Sequence, residues 1–276
     1  MIDLHLHTTA SDGTLAPGAL VTRAAAAGLT TISVTDHDTT AGLAEAAAAA
    51  QSCGMTFVPG IEITAVEDGH DVHVLGYYFD PASTSLATFL VEQRRDRVRR
   101  VREICARLAA MGISVDAEHL IAVTADHPGR SIGRPAIADV LVRSGHARDR
   151  DDAFARLIGR SSPAYVPRNG ITAAEIIAII RQAGGVASLA HPILAKIDHL
   201  IPSLASNGLT ALEARHPDQD PDTERRYRTM ASELGLAVSG GSDFHGDGTS
   251  NAHALGVVTL DSPDFDLLTT RARARH

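Results

Sequence analysis

Nine residues of this chain combine types and positions that suit metal chemistry. His5 and His7 alternate in MIDLHLHTTASDG, with Asp12 close behind. Alternate side chains on a strand share a face, so this spacing brings two imidazoles together. The same residue types recur at the ends of later apolar runs. They are His37 in TDHD, Glu62 in GIE, His73 in DVHVLG, His191 in LAHP, and Asp243 with His245 in GSDFH. A single histidine at a strand end is ordinarily a hydrogen-bonded structural residue, and DHD or SDG suits caps and turns. Six histidines and three carboxylates in apolar segments are harder to explain that way. Burying so many unpaired polar groups costs on the order of several kcal/mol, which metal coordination offsets. Imidazole and carboxylate donors without thiolate fit Mn2+, Fe2+ or Zn2+ better than Ca2+, and leave Mg2+ open. Nine donors exceed the demand of one ion. Two or three divalent ions, roughly 3.5–4 Å apart, are what phosphoester hydrolysis often uses, generating hydroxide near neutral pH and stabilising an in-line phosphoryl transition state.

Strands and helices in alternation must position these residues. IDLHLH, TTISVTDHD, MTFVPGIEIT and DVHVLGYYF read as strands, with ALVTRAAAAGL and the Ala-rich AGLAEAAAAAQSCG as helices. Such alternation predicts parallel strands with right-handed crossovers, whose C-terminal ends form one rim where catalytic residues collect. From about residue 81 to 167 the pattern turns helical. LATFLVEQRRDRVRRVREICARLAAMG reads as one long helix with Leu90, Val98, Val101, Cys105 and Leu108 on one side. It carries seven arginines between Arg94 and Arg107, read either as a solvated, acid-paired face or as a basic wall for an anionic substrate. Shorter helices cover RPAIADVLVRSG and RDDAFARLIG. Alternation resumes with the helix ITAAEIIAIIRQAGG and continues through VASLAHP, ALEARHP and LAVSGGSDFHG as strands. GVVTL reads as a last strand and RARARH as a frayed tail. The fold expected is an α/β barrel formed by residues 1–80 and 168–276, interrupted by a helical insertion at 81–167.

The bulk numbers agree with a globular enzyme. The chain has 276 residues, 44% hydrophobic and 21% charged, with no tryptophan. A net charge of −8 argues against a general nucleic-acid coat or membrane-surface binder, while allowing a local basic pocket. Cys53 and Cys105 suggest neither a disulfide framework nor a thiolate zinc site. With no basic leader and no transmembrane-length apolar run, the expected location is the cytoplasm.

Taken together, DLHLHTTASDG, TDHDT, GIEIT, the histidine of DVHVLGY, LAHP and GSDFHG resemble the PHP (polymerase and histidinol phosphatase) family of amidohydrolase-like barrels. The motifs keep their order over nearly the full chain. The resemblance implies a distorted (β/α)7 barrel of PHP type with a two- or three-metal centre. It implies one ion on His5, His7, Glu62 and Asp243, a second on Asp12, His37 and His245, and a third on His73 and His191 with Glu62 bridging. The insertion, with SIGRPAIADVL and PAYVPR, is similar to that of family phosphoesterases acting on nucleoside 3′,5′-bisphosphates, whose relatives also trim short 5′-phosphorylated RNA. It implies a 5′-phosphate grip by Arg134, with Arg130, Arg160 and Arg168 as further candidates. Ala136, where relatives often carry His, and Ser161-Ser162-Pro163, where they often carry Lys or Arg before PAYVP, depart from that pattern. Asp243, His245, Arg134 and His216 are the catalytic candidates, with His216 in EARHP as a general acid or a positioning residue. The expected partner is a small phosphorylated nucleotide or short RNA, with no membrane and no obligate protein. The rival readings are a histidinol-phosphate or general phosphomonoesterase, a non-catalytic metal-stabilised PHP module, and an anion or nucleic-acid binder.

Overall fold

The computed structural model describes residues 1–125, 129–249 and 251–274. Strand β1 (Ile2–Leu6) is followed by helix α1 (Pro17–Ala26), β2 (Thr31–Val34), α2 (Leu43–Ser52), β3 (Thr56–Glu67) and β4 (His70–Tyr77). A helical stretch follows: α3 (Thr84–Ala110), α4 (Ala117–Ala125), α5 (Arg134–Arg143) and α6 (Arg150–Ala153), which runs into a π-helical turn at Phe154–Ile158. Then come α7 (Ala173–Gln182), β5 (Val186–Leu189), α8 (Pro192–Ala195), α9 (Ile201–Ser206), β6 (Ala211–Arg215), α10 (Pro221–Glu233), β7 (Ala237–Gly240) and α11 (Ser262–Arg273).

The seven strands lie side by side in sequence order, and a bridge from Leu6 to Phe244 nearly closes the sheet into a barrel. Helices shield it because their apolar stripes need a partner. Helix α7, capped by a reciprocal Thr172–Glu175 box, buries Ile176, Ile177 and Ile180 against β3, β4 and β5. Each such buried side chain contributes about 1.5–3 kcal/mol.

One strand departs from the parallel expectation. β4 runs antiparallel to both β3 and β5. The cause is local: Asp68-Gly69 turns the chain in two residues, with φ of 49° and 71°. That pair is a type I′ hairpin signal, and it directs β4 back down the sheet. Consequently His73 lies towards the start of its strand, yet at the level where the parallel strands end, because it pairs with Thr64 of β3.

Two further expectations fail. GVVTL is a succession of turns in which only Leu260 bridges to Ile2, so this segment is not a strand. RARARH is helical through Arg273, because Ala272 is buried on the apolar side of α11.

The described residues form two apolar clusters. The larger fills the barrel and its covering helices and takes in Leu86 and Leu90 of α3. The smaller draws on residues between Val101 and Val166. Helix α3 thus joins both, and its buried face carries Gln93, Arg97 and Arg100 beside Val101, Ile104, Cys105 and Leu108. Five of its seven arginines divide accordingly. Arg95, Arg99 and Arg102 pair with Glu92, Asp96 and Glu118 on the outside, while Arg97 and Arg100 turn inward.

Candidate metal centre

All nine donors converge at one end of the barrel. Glu62 lies at the centre. Its Oε2 is 3.5 Å from His5 Nε2, 3.3 Å from His7 Nε2 and 2.9 Å from His37 Nδ1. Its Oε1 is 2.8 Å from His73 Nδ1 and 3.1 Å from His191 Nε2. Asp243 Oδ1 lies 3.3, 3.2 and 3.5 Å from His5, His7 and His245. Asp12 completes the far side, 3.3 Å from His245 Nε2 and 3.7 Å from His37 Nε2. Four overlapping groups have donor atoms close enough to share an ion: His7, Asp12, His37 and His245; His5, His191 and Asp243; His5, His7 and Glu62; His37, Glu62 and His73.

The donor chemistry fits divalent metal ions. Buried ring or carboxylate atoms of His5, His7, Asp12, His37, Glu62, His73 and His191 lack an aligned hydrogen-bond partner. Native interiors rarely tolerate so many, whereas coordination satisfies each lone pair. Protonation tells the same story. Burial opposes ionisation of Glu62, yet His73, His37 and His5 hold its carboxyl well below the usual carboxylate range. Burial pushes His245 down, but Asp12 and Asp243 outweigh it and raise the imidazole to about 10. His5 is likewise raised against burial by Glu213, Asp243 and Glu62. His7, dominated by burial and the neighbouring His245, falls to about 3. The carboxylates therefore demand positive charge, and protons and metal cations compete to supply it.

Backbone conformation is spent on this arrangement. Asp38, His191 and Asp243 hold positive φ of 51°, 25° and 48°, a region costing about 1–3 kcal/mol for residues other than glycine. Gly241 allows β7 to meet β1, since a Cβ there would collide with the backbone nitrogen of His5.

Glu213 and Asn251 shape the site and escape sequence reading, whereas His216 was a candidate. Glu213 in β6 is fully buried, accepting from His5 Nδ1 at 2.8 Å and from the backbone N–H of His191 at 2.7 Å. It turns His5 Nε2 towards Glu62 and Asp243 and pins the strained His191 backbone. A carboxylate between apolar residues in the strand ALEA was the available signal. His216 has a wholly buried side chain whose Nδ1 accepts from the Asp218 N–H, leaving Nε2 3.4 Å from Asp243 Oδ2. Asn251 reaches the same carboxylate oxygen at 3.3 Å.

A second polar group adjoins the donors. Arg134 reaches Asp71 at 3.0 Å, and Arg168 lies 3.9 Å from Asp71 and 3.4 Å from Asp38. Arg97, missed as a site residue, binds Asp38 at 2.6 Å. Arg134 also lies 5.4 Å from the Phe154 ring centroid and 5.7 Å from that of Tyr165. Arg130 lines a neighbouring cavity together with Thr9, Ser11 and Asp12. Arg160 donates to the Gly69 carbonyl at the hairpin tip.

Comparison with known proteins bears on the chemistry. The PHP domain model matches residues 3–170. A 3′,5′-nucleoside bisphosphate phosphatase of Chromobacterium violaceum is 35% identical over 252 residues, covering 90% of this chain and 88% of that protein. The 5′-3′ exoribonuclease Rnm of Salmonella typhimurium is 35% identical over 250 residues, covering 88% and 84%. A crystal structure described as a metal-dependent phosphoesterase of Bifidobacterium adolescentis superposes with a TM-score of 0.89 at 35% identity, covering 98% of this chain and 96% of that one. Among the described residues no helix is long and apolar enough to cross a membrane.

Proposed function

The chain belongs to the PHP domain family and is a phosphoric ester hydrolase, and from that premise we propose that it removes the 3′-phosphate of nucleoside 3′,5′-bisphosphates. The reaction would convert 3′-phosphoadenosine 5′-phosphate to AMP and phosphate, and the same site would act on short 5′-phosphorylated RNA. The observation that carries this reading is the pairing of a donor cluster around Glu62 with an arginine group alongside it. One half suits a phosphoester under attack and the other a second phosphate held at a distance.

In this reading His5, His7, Glu62 and Asp243 hold one ion, Asp12, His37 and His245 a second, and His73, His191 and Glu62 a third. Two or three divalent ions, Mn2+ foremost with Zn2+, Fe2+ or Mg2+ as substitutes, supply an acidified water and neutralise phosphoryl charge when bound. The rest falls to the chain. Arg134 receives the 5′-phosphate, a task for a guanidinium because its planar donors match phosphate oxygens. Arg168 and Arg130 add positive charge, and Arg160 does so from the hairpin tip. His216 acts on Asp243 as a positioning residue: with Nδ1 accepting from backbone, its proton sits on Nε2 and faces the carboxylate. The helical segment 81–167 serves as the cap over the barrel mouth. The reaction belongs in the cytoplasm, where the free thiols of Cys53 and Cys105 stay reduced.

The test is a substrate panel with Mn2+: 3′-phosphoadenosine 5′-phosphate, a 5′-phosphorylated trinucleotide, histidinol phosphate and 5′-AMP, each repeated on Asp243→Asn. The bisphosphate is expected to have the highest kcat/KM, with Asp243→Asn inactive throughout. Preference for histidinol phosphate would overturn the substrate, and undiminished hydrolysis by the variant would overturn the site.

A further inference from the structure

We propose that Phe154 is the platform on which the nucleobase of the substrate stacks, an inference that rests on the nucleotide reading above. A cleft of about 620 Å3 runs between the donor cluster and the helical segment. From the barrel it is lined by Asp12, Asp243 and His245, and from the helical segment by Pro135, Arg150 and Phe154 among others. Its lining is mostly charged or polar, and Phe154 contributes the one phenyl ring. The ring is half-buried: it packs against the smaller apolar cluster and also lines the cleft. It stands at the first residue of the π-helical turn Phe154–Ile158, an irregularity often found where a helix serves a function.

The position relative to Arg134 gives the ring a use. The Arg134 guanidinium lies over the ring with its carbon 5.4 Å from the centroid, while its Nη2 donates to Asp71. A phosphate bound by Arg134 is therefore a short distance from the Phe154 ring, which itself lines the cleft. Within a nucleoside 5′-phosphate the ribose separates base and phosphate by a comparable step. With the 3′-phosphate at the donor cluster and the 5′-phosphate at Arg134, the base falls beside Phe154. Every base presents a π face, so stacking confers preference for nucleotides without selecting among the four bases.

The experiment compares 3′-phosphoadenosine 5′-phosphate with abasic deoxyribose 3′,5′-bisphosphate, in wild type, Phe154→Leu and Phe154→Trp. Wild type is expected to favour the base-bearing substrate by about 10- to 100-fold in kcat/KM, the range removal of one aromatic platform brings. Phe154→Leu should abolish that preference, chiefly through KM, leaving the abasic rate within about twofold, and Phe154→Trp should restore it. The chain has no other tryptophan, so AMP should quench the emission of Phe154→Trp while ribose 5-phosphate does not. Equal wild-type rates on both bisphosphates would overturn the platform while leaving the bisphosphate reading intact. An equal fall on both in Phe154→Leu, without quenching in Phe154→Trp, would mean that the ring only holds Arg134 and would also overturn it. Hydrolysis of neither substrate by metal-loaded wild type would remove the bisphosphate reading, and this inference with it.

Discussion

The barrel mouth and the inner face of α3 both bury cationic nitrogen against carboxylate, but with opposite consequences. At the mouth, imidazoles surround Glu62, Asp12 and Asp243. An imidazole can shed its proton and offer a lone pair, so this region exchanges protons for metal ions. On the inner face of α3, Arg97 meets Asp38, and nearby Arg134 of α5 and Arg168 of the loop before α7 meet Asp71. Guanidinium stays charged and donates only, so this region cannot ligate a cation and is suited to an anion. The same kind of burial thus yields two regions of opposite preference, one for cations and one for anions.

The sharpest break of this contrast is Glu62→Gln. An amide cannot bridge as a carboxylate does, so kcat should fall on the order of 10³-fold or more, with at least one equivalent of metal lost by elemental analysis. Full metal content with normal turnover would remove Glu62 from the centre. Next is Arg134→Gln on the other half. It should lower kcat/KM for 3′-phosphoadenosine 5′-phosphate by about 10- to 100-fold, the worth of a hydrogen bond to a charged group, and spare 3′-AMP, which has no 5′-phosphate. Equal losses on both nucleotides would show that Arg134 acts in some other way. An effect of similar size concerns support: Glu213→Gln should weaken Mn2+ binding by about 10- to 100-fold with the fold intact by circular dichroism.

Calorimetry on the same protein supplies a pH test. His5, His37, His191 and His245 have raised affinity for protons in the metal-free protein. Metal must displace those protons, so affinity should climb with pH through neutrality and binding should release protons. By the same sign, His245 stabilises the metal-free fold fully below its ordinary value of 6.5 and ceases to do so as pH rises through about 10. Metal affinity that does not vary with pH would contradict the proton–metal competition.

How much was legible depended on the range of the interaction. The nine donors stood out because polar residues in apolar strands form a local pattern, and the structure does bring those side chains together. The Asp68-Gly69 hairpin was equally local and was passed over, which made β4 parallel by analogy with its neighbours. Glu213, a lone carboxylate in an apolar strand, and Asp71 take their roles only from distant partners. Their partners lie 208 and 63 residues away, at His5 and Arg134.

From the sequence by itself follow the barrel class, the donor types and hence the metal chemistry, because strand alternation and side-chain chemistry are properties of short segments. Tertiary structure alone decided which of the α3 arginines face inward, that Glu213 orients His5, and that Phe154 lines the cleft beside Asp243 and His245. Those outcomes depend on where distant segments meet, and charge or aromatic surface acquires a role only through what is packed against it.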